Sequence, residues 1–258
     1  MRVVITGAAT GIGAETVRIL KEEGHEICAL DIVEPADVDQ WVEVDLSDMD
    51  AITAACAQLA GPFDVLINNA GLPPRPDNQI QLLSVNVFGL RQVTSLMLPK
   101  LTDGARIVNT ASRAGLMWQD NIEEVKALLD LDNPYALPDF LTTRGIDPTR
   151  AYNLSKEAVI AYTKALTKPL LARNIRINSV SPAPVATDIL DDFMTALGER
   201  AAQAIALPGR AGKPDEVAQV IAFLASEKSS WIKGEDILVD GGVSAMVTSA
   251  ALGLSPKV

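Results

Sequence analysis

The segment AYNLSK places Tyr152 and Lys156 four residues apart, in a stretch whose pattern predicts a helix over about 148–172. Residues at that spacing share one face of a helix. One interpretation is an ordinary surface pair. The other is a proton donor tuned by its neighbour, because a tyrosine has a pKa of ~10 and a nearby cation favours the phenolate and lowers that pKa. The chemistry would be general acid–base catalysis near neutral pH.

A glycine-rich segment, VVITGAATGIG, joins the first predicted strand to the first predicted helix. Gly7, Gly11 and Gly13 fall where the chain turns tightly, and the helix behind them offers free N–H groups and a favourable dipole to a pyrophosphate. An ordinary turn is the alternative. With Thr10 and Ile12, these glycines are candidate cofactor-binding residues.

Asp31 ends the second predicted strand, 18 residues beyond Gly13. A carboxylate at that place accepts hydrogen bonds from the adenine-side ribose hydroxyls and repels a 2′-phosphate. Neither Thr10 nor Ile32 supplies a basic side chain for that phosphate. The pattern favours NAD over NADP, with a plain strand-end cap as the alternative.

Two further strand ends carry polar residues. Ligands of open α/β sheets bind at such carboxyl ends. Asp45 can hydrogen-bond the adenine amino group beside the backbone of Leu46, and NNAG at 68–71 follows the fourth strand. Asn69, Ala70 and Gly71 are candidate cofactor contacts, although the asparagines can also be turn residues.

Short apolar strands alternate with helices along the chain, which predicts a parallel sheet covered on both faces. No linker or repeat divides the chain, so one domain over 1–258 is expected. Two segments interrupt the alternation and are expected to be functional or interface-forming, namely 116–148 and 183–213. The predicted strands are 2–6, 26–31, 41–44, 64–68, 105–111, 175–180 and 236–240, and the predicted helices include 11–23, 48–60, 78–101 and 148–172.

Composition narrows the class of protein. The chain has 258 residues, is 48% hydrophobic and carries a formal net charge of −11, which makes nucleic acid an improbable partner. Cys28 and Cys56 have no metal-ligand spacing and lie in apolar contexts, which is typical of free thiols in a reducing compartment. We expect no metal site, no signal peptide and no membrane span, and therefore a cytoplasmic protein.

Five motifs occur in one order along the chain: TGAATGIG, NNAG, Ser112 in NTASRAG, YNLSK and NSVSPAPVATD. In this set and order the chain resembles the short-chain dehydrogenase/reductase family along essentially its whole length. The resemblance implies a Rossmann-type, doubly wound parallel sheet of about seven strands, a single domain and a nicotinamide cofactor, here NAD. It also implies a catalytic tetrad, which falls on Asn86, Ser112, Tyr152 and Lys156.

The resemblance also implies a role for each tetrad member. Tyr152 would exchange a proton with the substrate, Ser112 would hold the substrate oxygen, Lys156 would also bind the nicotinamide ribose, and Asn86 would brace a water leading to Lys156. Thr187 can reach the nicotinamide carboxamide. Tyr152, Lys156, Pro182, Val185 and Thr187 thus join the candidate cofactor-binding residues.

The chain departs from the family pattern at two places. The usual proline-glycine after the sixth strand is Pro182-Ala183, and 40 residues separate Ser112 from Tyr152, more than the family usually has. An insertion of this size resembles the bacterial 3α-hydroxysteroid dehydrogenase/carbonyl reductase subgroup. The expected function is interconversion of a secondary alcohol and a ketone on a cyclic, largely apolar small molecule.

Two alternatives stay open. One is a dehydrogenase of monoterpene or other cyclic alcohols, such as the isopiperitenol type. The other is a catalytically silent nucleotide-binding protein, although such proteins typically lose the Tyr or the Lys. Apolar residues in the expected lid, 183–213, would suit an apolar ligand or would simply form the core face of a helix: Ile189, Leu190, Phe193, Met194 and Leu197.

The insertion at 116–148 contains NIEEVKALLDL, with apolar residues at helical spacing and acids between them. An amphipathic helix must bury its apolar face, and the outer face of the Tyr152 helix is the nearest partner. Family members commonly associate through that helix, so an insertion covering it favours a homodimer over a tetramer, with a tetramer still possible. The alternative is that the insertion only pads the rim of the active site.

Overall fold

A computed structural model of the chain describes residues 1–254. Seven parallel strands form one sheet in the order β3-β2-β1-β4-β5-β6-β7. This is the predicted Rossmann-type fold in a single domain, and the order of the strands reverses between β1 and β4, where such sheets bind ligands. The strands are β1 (Arg2–Thr6), β2 (Glu26–Asp31), β3 (Gln40–Glu43), β4 (Phe63–Asn68), β5 (Leu101–Thr110), β6 (Arg176–Pro182) and β7 (Asp236–Val239).

Helices cover both faces of the sheet. Among residues 1–254 the α-helices are α1 (Gly11–Glu22), α2 (Met49–Gln58), α3 (Gln79–Leu83), α4 (Leu90–Met97), α5 (Ile122–Leu129), α6 (Leu137–Arg144), α7 (Pro148–Leu170), α8 (Leu190–Leu197), α9 (Glu199–Ala206), α10 (Pro214–Ala225) and α11 (Val243–Ala251). None of the helices in this part of the chain is both long and apolar enough to cross a membrane.

The five central strands are buried on both faces over most of their length, which explains their nearly continuous apolar sequences. In β1, Val3 and Ile5 face one core, which α1 and α10 cover, whereas Val4 faces the opposite core, which includes α2 and α4. This alternation fixes which residues face each core. Because all the strands are parallel, their carboxyl ends lie along one edge of the sheet.

The prediction of one continuous helix over 78–101 is wrong. It consists of α3, a π-helical turn at Ser84–Gly89, α4 and a 3₁₀ turn at Leu98–Lys100. Asn86 lies in the wide turn, where its Oδ1 accepts from Leu72 N (2.7 Å) and its Nδ2 donates to Leu72 O (3.1 Å). Pro99 lacks the N–H that a continued helix would need.

The insertion packs on α7, the helix of Tyr152, as predicted. Val125 and Leu128 of α5 are completely buried in a cluster that includes Leu154 and Ala158 of α7. The insertion also contains a second helix, α6, which the sequence pattern did not predict because prolines and polar residues obscure its periodicity. Its Gly145, at φ +62°, ends that helix in the left-handed conformation.

An ion-pair network joins the insertion to α7. Arg150 forms hydrogen bonds with Glu124 of α5 and donates to both carboxylate oxygens of Glu157, at 3.0 and 2.7 Å. Asn121 adds a hydrogen bond to Glu157 at 2.7 Å. Glu157 is only 1% exposed, so these partners satisfy a carboxylate that burial would otherwise make costly.

Candidate active site

One cavity of about 490 Å³ runs along the carboxyl ends of the strands. We call the part at the ends of β1 to β4 the nucleotide half, after its predicted ligand, and the part between β5, β6, α7 and the segment 183–213 the reaction half. The predicted cofactor-binding and catalytic residues that line it are Gly7, Thr10, Gly11, Ile12, Asp31, Asp45, Leu46, Asn69, Ala70, Gly71, Ser112, Tyr152, Lys156, Pro182, Val185 and Thr187. Of the apolar residues singled out in 183–213, Ile189, Phe193 and Leu197 line it, whereas Leu190 and Met194 do not. Gly13 and Asn86 lie behind the wall of this cavity.

The glycine loop leads from β1 into the N-terminus of α1. Gly7 has φ +66°, and a Cβ there would lie 2.6 Å from the Cα of Ala70. A Cβ on Gly13 would overlap the Gly7 carbonyl oxygen, so Gly13 allows close helix–strand packing and does not face the cavity. Thr10 precedes α1 without a side-chain cap, which leaves the first amides of the helix for an anionic group.

Asp31 lies at the edge of the nucleotide half. Its carboxylate accepts hydrogen bonds from Ala9 N (2.9 Å) and Val33 N (3.1 Å), which hold it against the glycine loop. Each oxygen retains a lone pair for a ligand hydroxyl. Asp45 is similarly oriented, since its Oδ1 accepts from Ser47 N and Ser47 Oγ, both at 2.8 Å.

The NNAG segment ties β4 to β1. Asn69 Nδ2 donates to Gly7 O at 2.8 Å, and Thr6 Oγ1 accepts from the backbone amides of Asn69 and Ala70 at 3.0 and 3.1 Å. Thr110 Oγ1 donates to Asn69 Oδ1 at 3.2 Å. The loops that follow β1 and β4, on either side of the point where the strand order reverses, are therefore held together as one cradle.

Tyr152, Lys156 and Ser112 meet at the other end of the cavity. α7 carries the first two, while Ser112 follows β5, and its Oγ accepts from Ala114 N at 3.1 Å. Lys156 Nζ lies 5.9 Å from the centre of the Tyr152 ring and donates to Thr110 O at 2.9 Å. Tyr152 and Lys156 are both buried, with exposed fractions of 6% and 5%. The surface-pair interpretation is therefore wrong.

The expected direction of the tyrosine pKa is also wrong for this chain on its own. Burial raises the pKa of Tyr152 to about 12, and the hydrogen bond with Ser112 lowers it by less. Burial lowers the pKa of Lys156 to about 8. The ammonium is directed at a backbone carbonyl, and both groups lie out of water, so desolvation outweighs the attraction between them.

Asn86 is buried in the π-helical turn, behind Tyr152 and Lys156. Its Nδ2 also donates to Ser155 Oγ at 3.2 Å, in addition to its two bonds with Leu72. Its Oδ1 and Lys156 Nζ would each lie 3.3 Å from a Cβ on Gly71, so the two groups approach the same point of the chain. Its expected role in bracing a water stays a prediction.

The segment 183–213 covers the reaction half. It contains α8 and α9, separated by Gly198 at φ +49°, and an isolated bridge between Val185 and Gly212 closes its base. The Phe193 ring of α8 meets the Tyr152 ring edge-to-face, with centres 5.1 Å apart. Asp192 pairs with Arg75 of the opposite wall at 2.8 Å.

Several lining residues were not predicted from the sequence. They come from segments that only the fold brings to this end of the sheet, and they include Leu72, Gln81, Val85, Arg113 and Arg200. Arg113 directly follows Ser112, and a cationic residue beside a candidate catalytic serine is a signal that could have identified it.

Comparison with known proteins gives a consistent family pattern. Residues 1–123 match the family model described as short chain dehydrogenase, and residues 139–244 match the one described as Enoyl-(Acyl carrier protein) reductase. Coniferyl-alcohol dehydrogenase of a Pseudomonas species is 36% identical over 249 residues, which cover 95% of this chain and 96% of that one.

Two hydroxysteroid dehydrogenases are also similar. The 3-alpha-hydroxysteroid dehydrogenase/carbonyl reductase of Comamonas testosteroni is 30% identical over 263 residues, covering 95% of this chain and 97% of that protein. The crystal structure of the 3-alpha-hydroxysteroid dehydrogenase from Pseudomonas sp. B-0831, complexed with NADH, superposes with a TM-score of 0.82 at 27% identity. That superposition covers 96% of this chain and 99% of the other.

Proposed function

Because this chain belongs to the short-chain dehydrogenase/reductase family, we propose that it is an NAD-dependent enzyme that interconverts a secondary alcohol and a ketone on a cyclic, largely apolar substrate. The family assignment makes it an oxidoreductase of alcohols and ketones. The observation that carries the finer proposal is a single cavity lined by the glycine loop and Asp31 at one end and by Ser112, Tyr152 and Lys156 at the other.

The preference for NAD rests on the charge of the nucleotide half. Asp31 is held at the cavity edge by two backbone amides, where it would accept bonds from ribose hydroxyls and repel a 2′-phosphate. Within the described residues, the neighbouring wall is formed by Ile32, Val33 and Asp45 and has no basic side chain. The NADH in the Pseudomonas structure supports the same choice.

The chemistry follows from what the buried groups can do. Ser112 would orient the substrate oxygen by a hydrogen bond, and the Tyr152 hydroxyl would take its proton during oxidation and return it during reduction. The bound nicotinamide would accept or supply the hydride. The positive charge of an oxidised cofactor would favour the Tyr152 phenolate. A ribose hydroxyl would give the Lys156 ammonium another partner, and Lys156 would then also lower the pKa of Tyr152.

The segment 183–213 is the proposed substrate lid. Phe193 contacts the Tyr152 ring, and Ile189, Leu197 and Ala201 also line the reaction half, so an apolar substrate would contact mainly carbon atoms there. Gly198 separates the two lid helices and provides a position where the backbone can change direction.

Burial of the outer face of α7 by the insertion supports a homodimer. A second copy would have to displace α5, whose Val125 and Leu128 are buried against α7. The other side of the molecule keeps apolar surface for association, because Leu238 on the edge strand β7 and Trp231 beside it are 41% and 94% exposed. We propose that the dimer forms there.

Both cysteines support the cytoplasm as the place where the protein works. Cys28 and Cys56 are buried free thiols, and burial raises the pKa of Cys56 to about 11. Thiols in that state are typical of reducing compartments.

A turnover assay tests the proposal. Purified protein is incubated with NAD and a panel of alcohols, with NADH absorbance as the signal. The panel contains a 3α-hydroxysteroid, isopiperitenol, substituted cyclohexanols and coniferyl alcohol, since the 36%-identical relative makes an aromatic alcohol the second candidate. We expect oxidation of at least one cyclic secondary alcohol. NADH binding without turnover of any alcohol would favour a catalytically silent nucleotide-binding protein.

A further inference from the structure

Two arginines, Arg113 and Arg200, line the reaction half of the cavity in a chain whose net charge is −11. Apart from these two and Lys156, the cationic side chains among the described residues lie outside the cavity wall. The net negative charge of the protein repels anions in general. Cationic side chains at one end of a mainly apolar cavity would instead attract an anion to that end.

Both arginines lie at the end of the cavity away from the nucleotide half. Arg113 follows β5, its Nε donates to Ser244 Oγ of α11 at 3.1 Å, and it lies 4.0 Å from Asp240 beyond the end of β7. In the sheet, β6 and β7 flank β5 on the side opposite to β4 and β1. The pair is therefore separated from the glycine loop, and a pyrophosphate on α1 would not be its partner.

The charge of this pair is only partly balanced. Asp240 also accepts from Gly242 N and Ser244 N, at 2.9 and 2.7 Å, and its 4.0 Å separation from Arg113 is at the limit of an ion pair. Among the residues that the structure describes, Arg200 makes no ion pair, including none with Asp188, which also lines the cavity. Burial lowers the pKa of Arg113 and proximity to Arg200 lowers it further, so the two like charges are close enough to repel.

We propose that the substrate carries a carboxylate at the end away from its reacting hydroxyl, and that Arg200 binds this carboxylate with Arg113 beside it. A planar guanidinium matches a carboxylate with two parallel hydrogen bonds. Phe193, which packs on the Tyr152 ring, and Leu197 line the same cavity as the arginines and would contact an apolar ring. This inference narrows the proposed function to acidic cyclic alcohols and depends on it only for the reacting end of the molecule.

Binding of acids without a reacting hydroxyl tests the arginine site separately from the chemistry. Calorimetry on the enzyme–NADH complex would compare cyclohexanecarboxylate and the longer 4-cyclohexylbutyrate with the primary amide of each. We expect at least one acid to bind about tenfold or more tightly than its amide. Arg200→Gln should weaken that acid about 10- to 100-fold, the range for hydrogen bonds to charged groups, and leave the amide within about threefold.

The matched control is Arg18→Gln, which removes an exposed guanidinium on the outer face of α1 that pairs with Glu15 and Glu22. This variant should bind the acids like the wild type. Equal binding of each acid and its amide would overturn the proposal, as would an acid preference that survives in Arg200→Gln or is lost equally in Arg18→Gln. Since no turnover is needed, this test can fail while neutral alcohols are oxidised, and can succeed while the turnover assay fails.

Discussion

Lys156 directs its ammonium at the carbonyl oxygen of Thr110, 2.9 Å away, while its Nζ lies 5.9 Å from the centre of the Tyr152 ring. The two residues share one face of α7, yet burial shifts the pKa of each residue more than its neighbour does. Burial lowers the pKa of Lys156 to about 8 and raises that of Tyr152 to about 12. Burial in the folded chain therefore disfavours the charged forms of both side chains.

Replacing Lys156 with methionine should stabilise the folded protein below pH 8. A pKa of about 8 in place of the ordinary 10.5 corresponds to about 3 kcal/mol against the folded ammonium, partly offset by its bond to Thr110. Between about pH 8 and 10.5 the unfolded chain retains the proton that the folded chain has released, so wild-type stability rises with pH there. Thermal unfolding of the cofactor-free protein across this range measures the difference between Lys156→Met and wild type, which should shrink as pH rises.

Lys126→Met is the control for that experiment, because Lys126 is an exposed lysine paired with Glu123. Its effect on the unfolding temperature should not follow the same pH dependence. A Lys156→Met difference that stays constant from neutral pH to pH 10 would show that burial does not depress the lysine pKa.

Asp31→Ala should narrow the preference for NAD over NADP. The carboxylate is fixed by Ala9 N and Val33 N, and like charges kept out of water repel by several kcal/mol. The measurement is kcat/KM with each cofactor for wild type, Asp31→Ala and Glu34→Ala, the last removing an exposed charge from the same loop. Equal use of both cofactors by the wild type, or an unchanged ratio in Asp31→Ala, would contradict the assignment.

Arg150→Met should destabilise the protein strongly, because it leaves the Glu157 carboxylate buried without its cation. Breaking a buried ion pair on one side typically costs about 3–5 kcal/mol, whereas the exposed pair of Lys126 and Glu123 is worth about 0–1 kcal/mol. Chemical denaturation of Arg150→Met beside Lys126→Met compares the two. Similar small losses in both variants would mean that the network does not anchor the insertion to α7.

The protein should be a dimer in solution, since α5 occupies the outer face of α7 that a four-helix interface would need. Light scattering over a range of concentrations measures the mass. Trp231→Glu on the opposite side should shift the protein toward monomer, and Tyr135→Glu, an equally exposed aromatic of the insertion, should not. A stable tetramer built on α7 would show that the insertion leaves that face free.

The sequence was most informative where local chemistry and fold agree. The apolar runs predicted all seven strands, most clearly the central ones, whose two faces are both buried. The glycine loop could be recognised because Gly7 and Gly13 have no room for a side chain. The π-helical turn around Asn86 could not be read in this way, since it depends on Leu72, a residue of another segment.

Properties that depend on the tertiary environment could not be predicted from the sequence either. The spacing of Tyr152 and Lys156 predicted their shared helix face but gave the wrong direction for the tyrosine pKa, because the depth of burial of both residues decides it. Arg113 and Arg200 are 87 residues apart, and only the folding of the segment 183–213 over the cavity brings both to its wall.

The most direct test of the account is Tyr152→Phe, which removes one hydroxyl from the reaction half and keeps the ring that packs on Phe193. Acid–base catalysis contributes ~10²–10⁴-fold, so kcat for the best alcohol should fall by at least ~10²-fold while NADH binding stays within about threefold of wild type. Both constants come from the same preparation, by steady-state kinetics and fluorescence titration. A variant that retains kcat within about tenfold of wild type would contradict the assignment of Tyr152 as the catalytic acid–base.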